Sequence, residues 1–195
     1  MVKPKVSILM NCFNGELFLE RALSSVMNQT YQDWELIFYN NASTDNSKNI
    51  YLSHLDKRFK YYECDTKKNL VEARNSAIQF LTGEWIAILD CDDMWDDKKL
   101  ETQINKISFE ASLRPGLIFS YCNIYKDNQI HEMPVKFFNP RNIFDNLLSL
   151  DLSIPWSSVL IKREIFNEIK GFNELYPSFH DLDFIIQCSK ITNFC

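Results

Sequence analysis

Trp85-Ile86-Ala87-Ile88-Leu89-Asp90-Cys91-Asp92-Asp93 sets three carboxylates directly after an apolar run one strand long. Gly83 precedes the run and the acids end it, the outline of a buried β-strand. Carboxylates at the carboxyl end of such a strand occupy the place where open α/β sheets keep their ligands. Three negative charges so close repel one another, and a shared hard cation relieves that repulsion. Oxygen ligands point to Mg²⁺ or Mn²⁺, and Mg²⁺ is typically held by one or two carboxylates plus substrate phosphates.

Outward from this cluster the pattern repeats. Val6 to Met10 is a second buried strand, followed by Asn11-Cys12-Phe13-Asn14-Gly15. Phe18, Ala22 and Val26, beside Leu19, Leu23 and Met27, form i, i+4 rows of an amphipathic helix. Trp34 to Tyr39 predicts a strand ending in Asn40-Asn41-Ala42-Ser43-Thr44-Asp45. Ser43 or Thr44 is placed to cap a helix running to about Leu55. A strand over Phe59 to Cys64 and a helix with Leu70, Ala73, Ala77 and Leu81 on one face complete the run. The order β-α-β-α-β-α-β predicts an α/β fold with a mostly parallel central sheet flanked by helices. A helix through Leu100, Ile104 and Ile107 follows, then a strand over Leu117 to Tyr125 and a short helix or loop over Pro140 to Leu150. A strand over Ser157 to Ile161 and a last helix from about Leu182 end the chain. The expected division is a nucleotide-type half over about 1–98 and a looser half over about 99–195, within a single domain.

At 195 residues the chain is long enough to bury a core without staples. Its 46% hydrophobic and 14% aromatic content excludes disorder. A net charge of −5 gives no basic footprint for nucleic acid, so a nucleic-acid partner is not expected. An acidic protein that handles an anionic substrate needs local positive charge, from a metal or a placed Arg. The six Cys contain no C-x-x-C pair and no His at ligand spacing, which reads as thiols in a reducing compartment. The opening Met1-Val2-Lys3-Pro4-Lys5 leads into an apolar run too short for a signal peptide or a membrane span. The expected location is cytoplasmic, with peripheral contact at the membrane face left open.

The motifs together resemble the inverting family 2 glycosyltransferases, which have the GT-A fold, a Rossmann-like nucleotide-diphospho-sugar transferase architecture. The resemblance rests on Val6-Ser7-Ile8 with Cys12-Phe13-Asn14, on Leu19 through Gln29-Thr30-Tyr31, and on Asn41 to Ser47. It continues through Ala73-Arg74-Asn75, Gly83-Glu84-Trp85, Asp90 to Asp93, Lys99-Leu100 and Ser157 to Ile161, then Gly171 to Glu174 and His180 to Asp183. It implies metal-dependent transfer of a hexose-type sugar from a nucleotide-sugar, a UDP-sugar, to a glycan or lipid-linked acceptor, as in surface polysaccharide synthesis. By resemblance Asp90 meets the ribose and Asp92 the cation, while Asp93 is either a supporting neighbour or a helix cap. All three acids could instead cap a helix beginning near Asp96. Cys12, Phe13, Asn14, Asn40, Asn41, Arg74 and Cys91 join the nucleotide-sugar set, with Phe13 stacking on the base where relatives often carry Tyr.

Asn40 and Asn41 stand where relatives commonly have acids, and an Asn amide can accept as well as donate. Two polar residues closing a loop is the competing account. Arg74 either reaches base or phosphates or is a solvated surface Arg. Asp181 is the expected general base, preceded by His180 where the family usually has Glu. His180 then hydrogen-bonds the acceptor as a neutral group or marks altered activity. Trp156 stacks on an acceptor sugar or packs in the core. His54 and His131 read as surface or loop residues. The chain stops at Cys195, soon after the base-bearing helix opens, and an incomplete acceptor side would favour a homodimer or a partner transferase. A catalytically degenerate scaffold assisting such a partner is the alternative function. A haloacid-dehalogenase-type phosphatase also uses D-x-D, but Met94 stands where it carries Thr or Val.

Overall fold

The structure is a computed structural model that describes residues 5–54, 56–127, 129–132 and 142–195. Expectations placed on Met1 to Pro4, on Leu55 and on Pro140 lie outside the described residues. Seven strands form one sheet in the order β3-β2-β1-β4-β8-β5-β9. Strands β1 (Val6–Cys12), β2 (Trp34–Asn40), β3 (Phe59–Glu63) and β4 (Trp85–Ile88) run parallel. Helices α1 (Leu19–Met27), α2 (Ser47–Leu52) and α3 (Leu70–Ile78) connect them. After α4 (Lys99–Phe109) come β5 (Pro115–Ile118), the hairpin β6 (Asn123–Lys126) and β7 (Gln129–Glu132), and α5 (Ile143–Leu148). β8 (Leu160–Lys162) is antiparallel to both β4 and β5, and α6 (Arg163–Ile169) and α7 (His180–Ile191) lead to β9 (Asn193–Phe194).

All seven residues of β1 are buried, and their alternation divides the core. Val6, Ile8, Met10 and Cys12 pack on the layer containing Leu19, Leu23, Val26 and Leu100. Leu9 faces the other layer, with Val71, Ala77, Phe166 and Phe184. Each wholly buried Leu or Val contributes about 1.5–3 kcal/mol relative to exposure. The order 3-2-1-4 reverses its winding between β1 and β4, which puts a crevice at the carboxyl ends of those two strands.

Two buried polar groups fix the frame. Glu35 accepts hydrogen bonds from the Ser7 hydroxyl at 2.6 Å, the Thr82 hydroxyl at 2.7 Å and the Thr82 backbone N–H at 2.9 Å, and it pairs with Lys60. Burial alone would raise this carboxyl, yet Lys60, Ser7 and Thr82 hold it below the usual range. Gln29 is fully buried; its amide donates to Ser25 O and Asp96 O and accepts from Leu100 N–H. The end of α1 thereby fixes the start of α4, just past the acidic cluster.

The sequence expectations need four corrections here. The second helix begins at Ser47 rather than at Ser43 or Thr44, because Asp45 turns the chain by accepting from Ser47 N–H. Leu70 is 45% exposed, and Val71, Ala73, Arg74 and Ala77 form the buried face of α3. The strand expected over Leu117 to Tyr125 breaks after Ile118, and the chain resumes in an exposed hairpin. At Ser157 a 3₁₀ turn replaces the start of the expected strand, which forms only at Leu160. His54 lies in the loop after α2, in keeping with its expectation, with Nδ1 3.0 Å from Ile50 O and Nε2 3.4 Å from Glu20.

Candidate active site

The β1–α1 loop is built by its neighbour across the crevice. Asn14 adopts a left-handed conformation (φ 52°), so its N–H meets the Ser43 hydroxyl and its Oδ1 accepts from Thr44 N–H. Gly15 N–H donates to Ser47 Oγ at 2.9 Å, and Asn41 N–H to Cys12 O at 2.8 Å. Phe13 is 37% exposed, and the Lys67 ammonium sits 3.7 Å from its ring centroid. One ring face is therefore taken by a cation.

Asn40 and Asn41 are buried and engaged. Asn40 donates to the Tyr61 hydroxyl at 2.9 Å and accepts from Ser43 N–H at 3.0 Å. Asn41 brackets Lys68, donating to its carbonyl at 2.8 Å and accepting from its N–H at 2.9 Å. These amides close the loops around the crevice.

The three acids have three different environments. Asp90 Oδ1 is ion-paired with Arg74 Nη2 at 2.6 Å. Asp93 accepts from the Ser157 hydroxyl at 2.5 Å, and the same hydroxyl accepts from Asp90 N–H at 3.1 Å. Asp92 is exposed, and its carboxylate makes no hydrogen bond or ion pair among the described residues. None of the three caps α4, which opens at Lys99 after Asp96 accepts from Lys98 N–H, so the helix-cap account fails. Ser157 had no signal beyond its place in the quoted segment, yet it ties the acidic turn to the far half of the chain.

Arg74 is 2% exposed, which excludes the solvated-surface account. It joins Asp90 to His180, whose Nε2 is 2.5 Å from Arg74 Nη1. His180 Nδ1 is 3.0 Å from Pro177 O. These contacts suit one neutral tautomer, Nδ1–H donating to the carbonyl and Nε2 accepting from the guanidinium. Burial, then the Arg74 charge, lowers the His180 pKa from 6.5. His180 thus braces Arg74 rather than standing free to meet an acceptor.

Asp181 lies in the first turn of α7, half-buried, with Oδ1 accepting from Leu182 N–H at 2.8 Å. Trp156 corrects its expectation as a sugar platform. It is 6% exposed and packs edge-on against Phe172 and Phe184, with Arg74 5.7 Å from its ring centroid. The ring is buried and has no open face for a sugar.

Among the described residues no group of three or more His, Cys, Asp or Glu is assembled to hold a metal ion. One unengaged carboxylate, Asp92, suits a hard ion whose remaining ligands are phosphates and water. Cys12 and Cys91 meet beneath the same crevice. The Cys91 thiol lowers Cys12 to about 7, against the opposing effect of burial.

The winding reversal, with acids past the end of one flanking strand and a polar loop past the end of the other, makes this crevice the ligand site of an open α/β sheet. The Glycosyl transferase family 2 model matches residues 7–170, and the chain belongs to that family. Relatives include the Escherichia coli UDP-Glc:alpha-D-GlcNAc-diphosphoundecaprenol beta-1,3-glucosyltransferase WfgD, 32% identical over 184 residues, 94% of this chain and 68% of that protein. An uncharacterized glycosyltransferase of Haemophilus influenzae is 33% identical over 97% of this chain and 74% of its own length. Two solved structures share the fold. S. aureus TarS 1–349 in complex with UDP-GlcNAc has TM-score 0.76 and 17% identity, over 98% of this chain and 56% of that one. The mannosyltransferase PcManGT from Pyrobaculum calidifontis, in complex with GDP-Man and Mn²⁺, has TM-score 0.72 and 20% identity, over 100% and 55%. The chain therefore spans just over half the length of these solved structures.

Proposed function

We propose that this chain is an inverting transferase that moves a hexose-type sugar from a UDP-sugar to a hydroxyl of a glycan or lipid-linked acceptor. The observation that carries the reading is the division of labour among the acids. Asp90 and Asp93 are spent on Arg74 and Ser157, which leaves Asp92 alone at the crevice with a free carboxylate. Asp92 would hold a divalent cation, Mn²⁺ or Mg²⁺, which when bound neutralises charge developing on the leaving diphosphate. Asp90 turns its unpaired oxygen to the ribose, and Phe13 offers its open face to the base. Asp181 takes the proton from the incoming acceptor hydroxyl. The activity that gives WfgD its name, transfer from UDP-Glc to a diphosphoundecaprenol-linked sugar, supports the choice of donor and acceptor class. Such an acceptor fits work at the cytoplasmic membrane face by peripheral contact; no helix among the described residues is long and apolar enough to cross a membrane.

The test is a thermal-shift panel of nucleoside diphosphates with and without Mn²⁺. UDP is expected to raise the melting temperature only with the metal, and Asp92→Ala to abolish that rise. Asp181→Asn should retain the rise and lose sugar transfer; transfer at the wild-type rate would dismiss Asp181 as the base. The occupied amides of Asn40 and Asn41 favour the alternative of a degenerate scaffold. No shift with any nucleotide would decide for it.

A further inference from the structure

Cys12 and Cys91 end up side by side. Leu9 pairs with Ile88 in the parallel β1–β4 ladder, and Leu89 N–H donates to Leu9 O. β4 ends at Ile88, and the chain past it turns at Cys91, near the end of β1 at Cys12. Both side chains turn to the core layer beneath α1. A Cβ built on Gly15 would stand 2.9 Å from Cys12 Sγ and 3.0 Å from Cys91 Sγ, so the two sulfurs converge on one spot under the β1–α1 loop. Two sulfurs that both lie within about 3 Å of one point are close enough for a small shift to bring them to bonding distance. Cys91 is half-buried between Asp90 and Asp92, whereas Cys12 is sealed beneath it.

We propose that Cys12 and Cys91 form a reversible disulfide site in the crevice, made by a low-molecular-weight disulfide such as oxidised glutathione. Cys91 hands its proton to the Cys12 thiolate, and the Cys91 sulfur attacks the small disulfide, forming a mixed disulfide and releasing a small thiolate that takes a proton from solvent. The Cys12 sulfur then attacks Cys91 in that mixed disulfide, and the second small thiol leaves with the Cys12 proton. Two cysteines are oxidised and one small disulfide is reduced to two thiols. The bond ties the turn that carries Asp92 to the loop that carries Phe13 and Asn14. That lock acts on donor binding, a consequence that rests on the function proposed above.

The test oxidises the reduced chain with glutathione disulfide, blocks free thiols and maps the peptides. The expected product joins Cys12 to Cys91 ahead of any link to Cys64, Cys122, Cys188 or Cys195, with the loss of two hydrogens and no retained glutathione. Cys12→Ser should trap glutathione on Cys91, and Cys91→Ser should prevent the link. Absence of the link, or Cys12→Ser without an adduct, overturns the site. Oxidation is expected to reduce the UDP–Mn²⁺ thermal shift roughly twofold or more, with recovery on reduction. A link that forms while this shift stays whole overturns the lock. A link in a chain that binds no nucleotide supports the site and sinks the donor reading alone.

Discussion

Arg74 is the residue on which both halves of the crevice lean. Its guanidinium holds Asp90 on one side and His180 on the other, between the rings of Trp156 and Phe172. Arg74→Ala leaves a buried void and an unpaired Asp90 that is one-third exposed. The expected cost is about 2–3 kcal/mol in urea denaturation, below that of a fully buried pair. His180 gives a pH-dependent prediction. The unfolded chain takes up a proton near the usual 6.5, while burial and Arg74 keep the folded imidazole neutral to lower pH. Stability therefore falls as pH drops through the unfolded value toward the depressed folded one. Denaturation at about pH 7.5 and about pH 5.5 should show this loss, and His180→Gln, which can still accept from Arg74, should flatten it.

At the scale of elements, the joints are the sensitive points. Helix α3 opens with a capping box in which Asn69 accepts from Glu72 N–H and Glu72 accepts from Asn69 N–H. Asn69→Ala should cost about 1 kcal/mol in denaturation. Gly83 enters β4 against bare backbone, with an added Cβ only 2.5 Å from Ser7 N. Gly83→Ala should cost about 1–3 kcal/mol and loosen the β1–β4 pairing. The strands of the first half were legible because apolar runs such as Val6 to Met10 are buried on both faces and carry their own signal. Asp90 to Asp93 stood out for the same reason, as acids closing such a run. Other features depend on distant partners. Nothing local distinguishes Trp156 in a core from Trp156 on a sugar, because Phe172 and Phe184 decide it. Ser157 gains its place from a turn more than sixty residues earlier. The break after Ile118 follows from the short antiparallel match to β8, only two residue pairs long.

The whole molecule is asymmetric about β1. On one side lie the long parallel ladders to β2 and β3; on the other, short segments drawn from the rest of the chain complete the sheet. Removing Asn193 to Cys195 would uncover the β5 edge and withdraw Phe194, which is 2% exposed. The expected outcome is a lower melting temperature and more aggregation by light scattering. β1 itself is paired on both edges and buried on both faces, whereas among the described residues β6 and β7 pair with each other alone and are exposed. In heavy water, the β1 amides should take up deuterium last, by opening of the entire sheet, and the hairpin amides first, by local fraying. The lag between them, followed by mass spectrometry, would date how long the centre of this chain stays closed while its rim breathes.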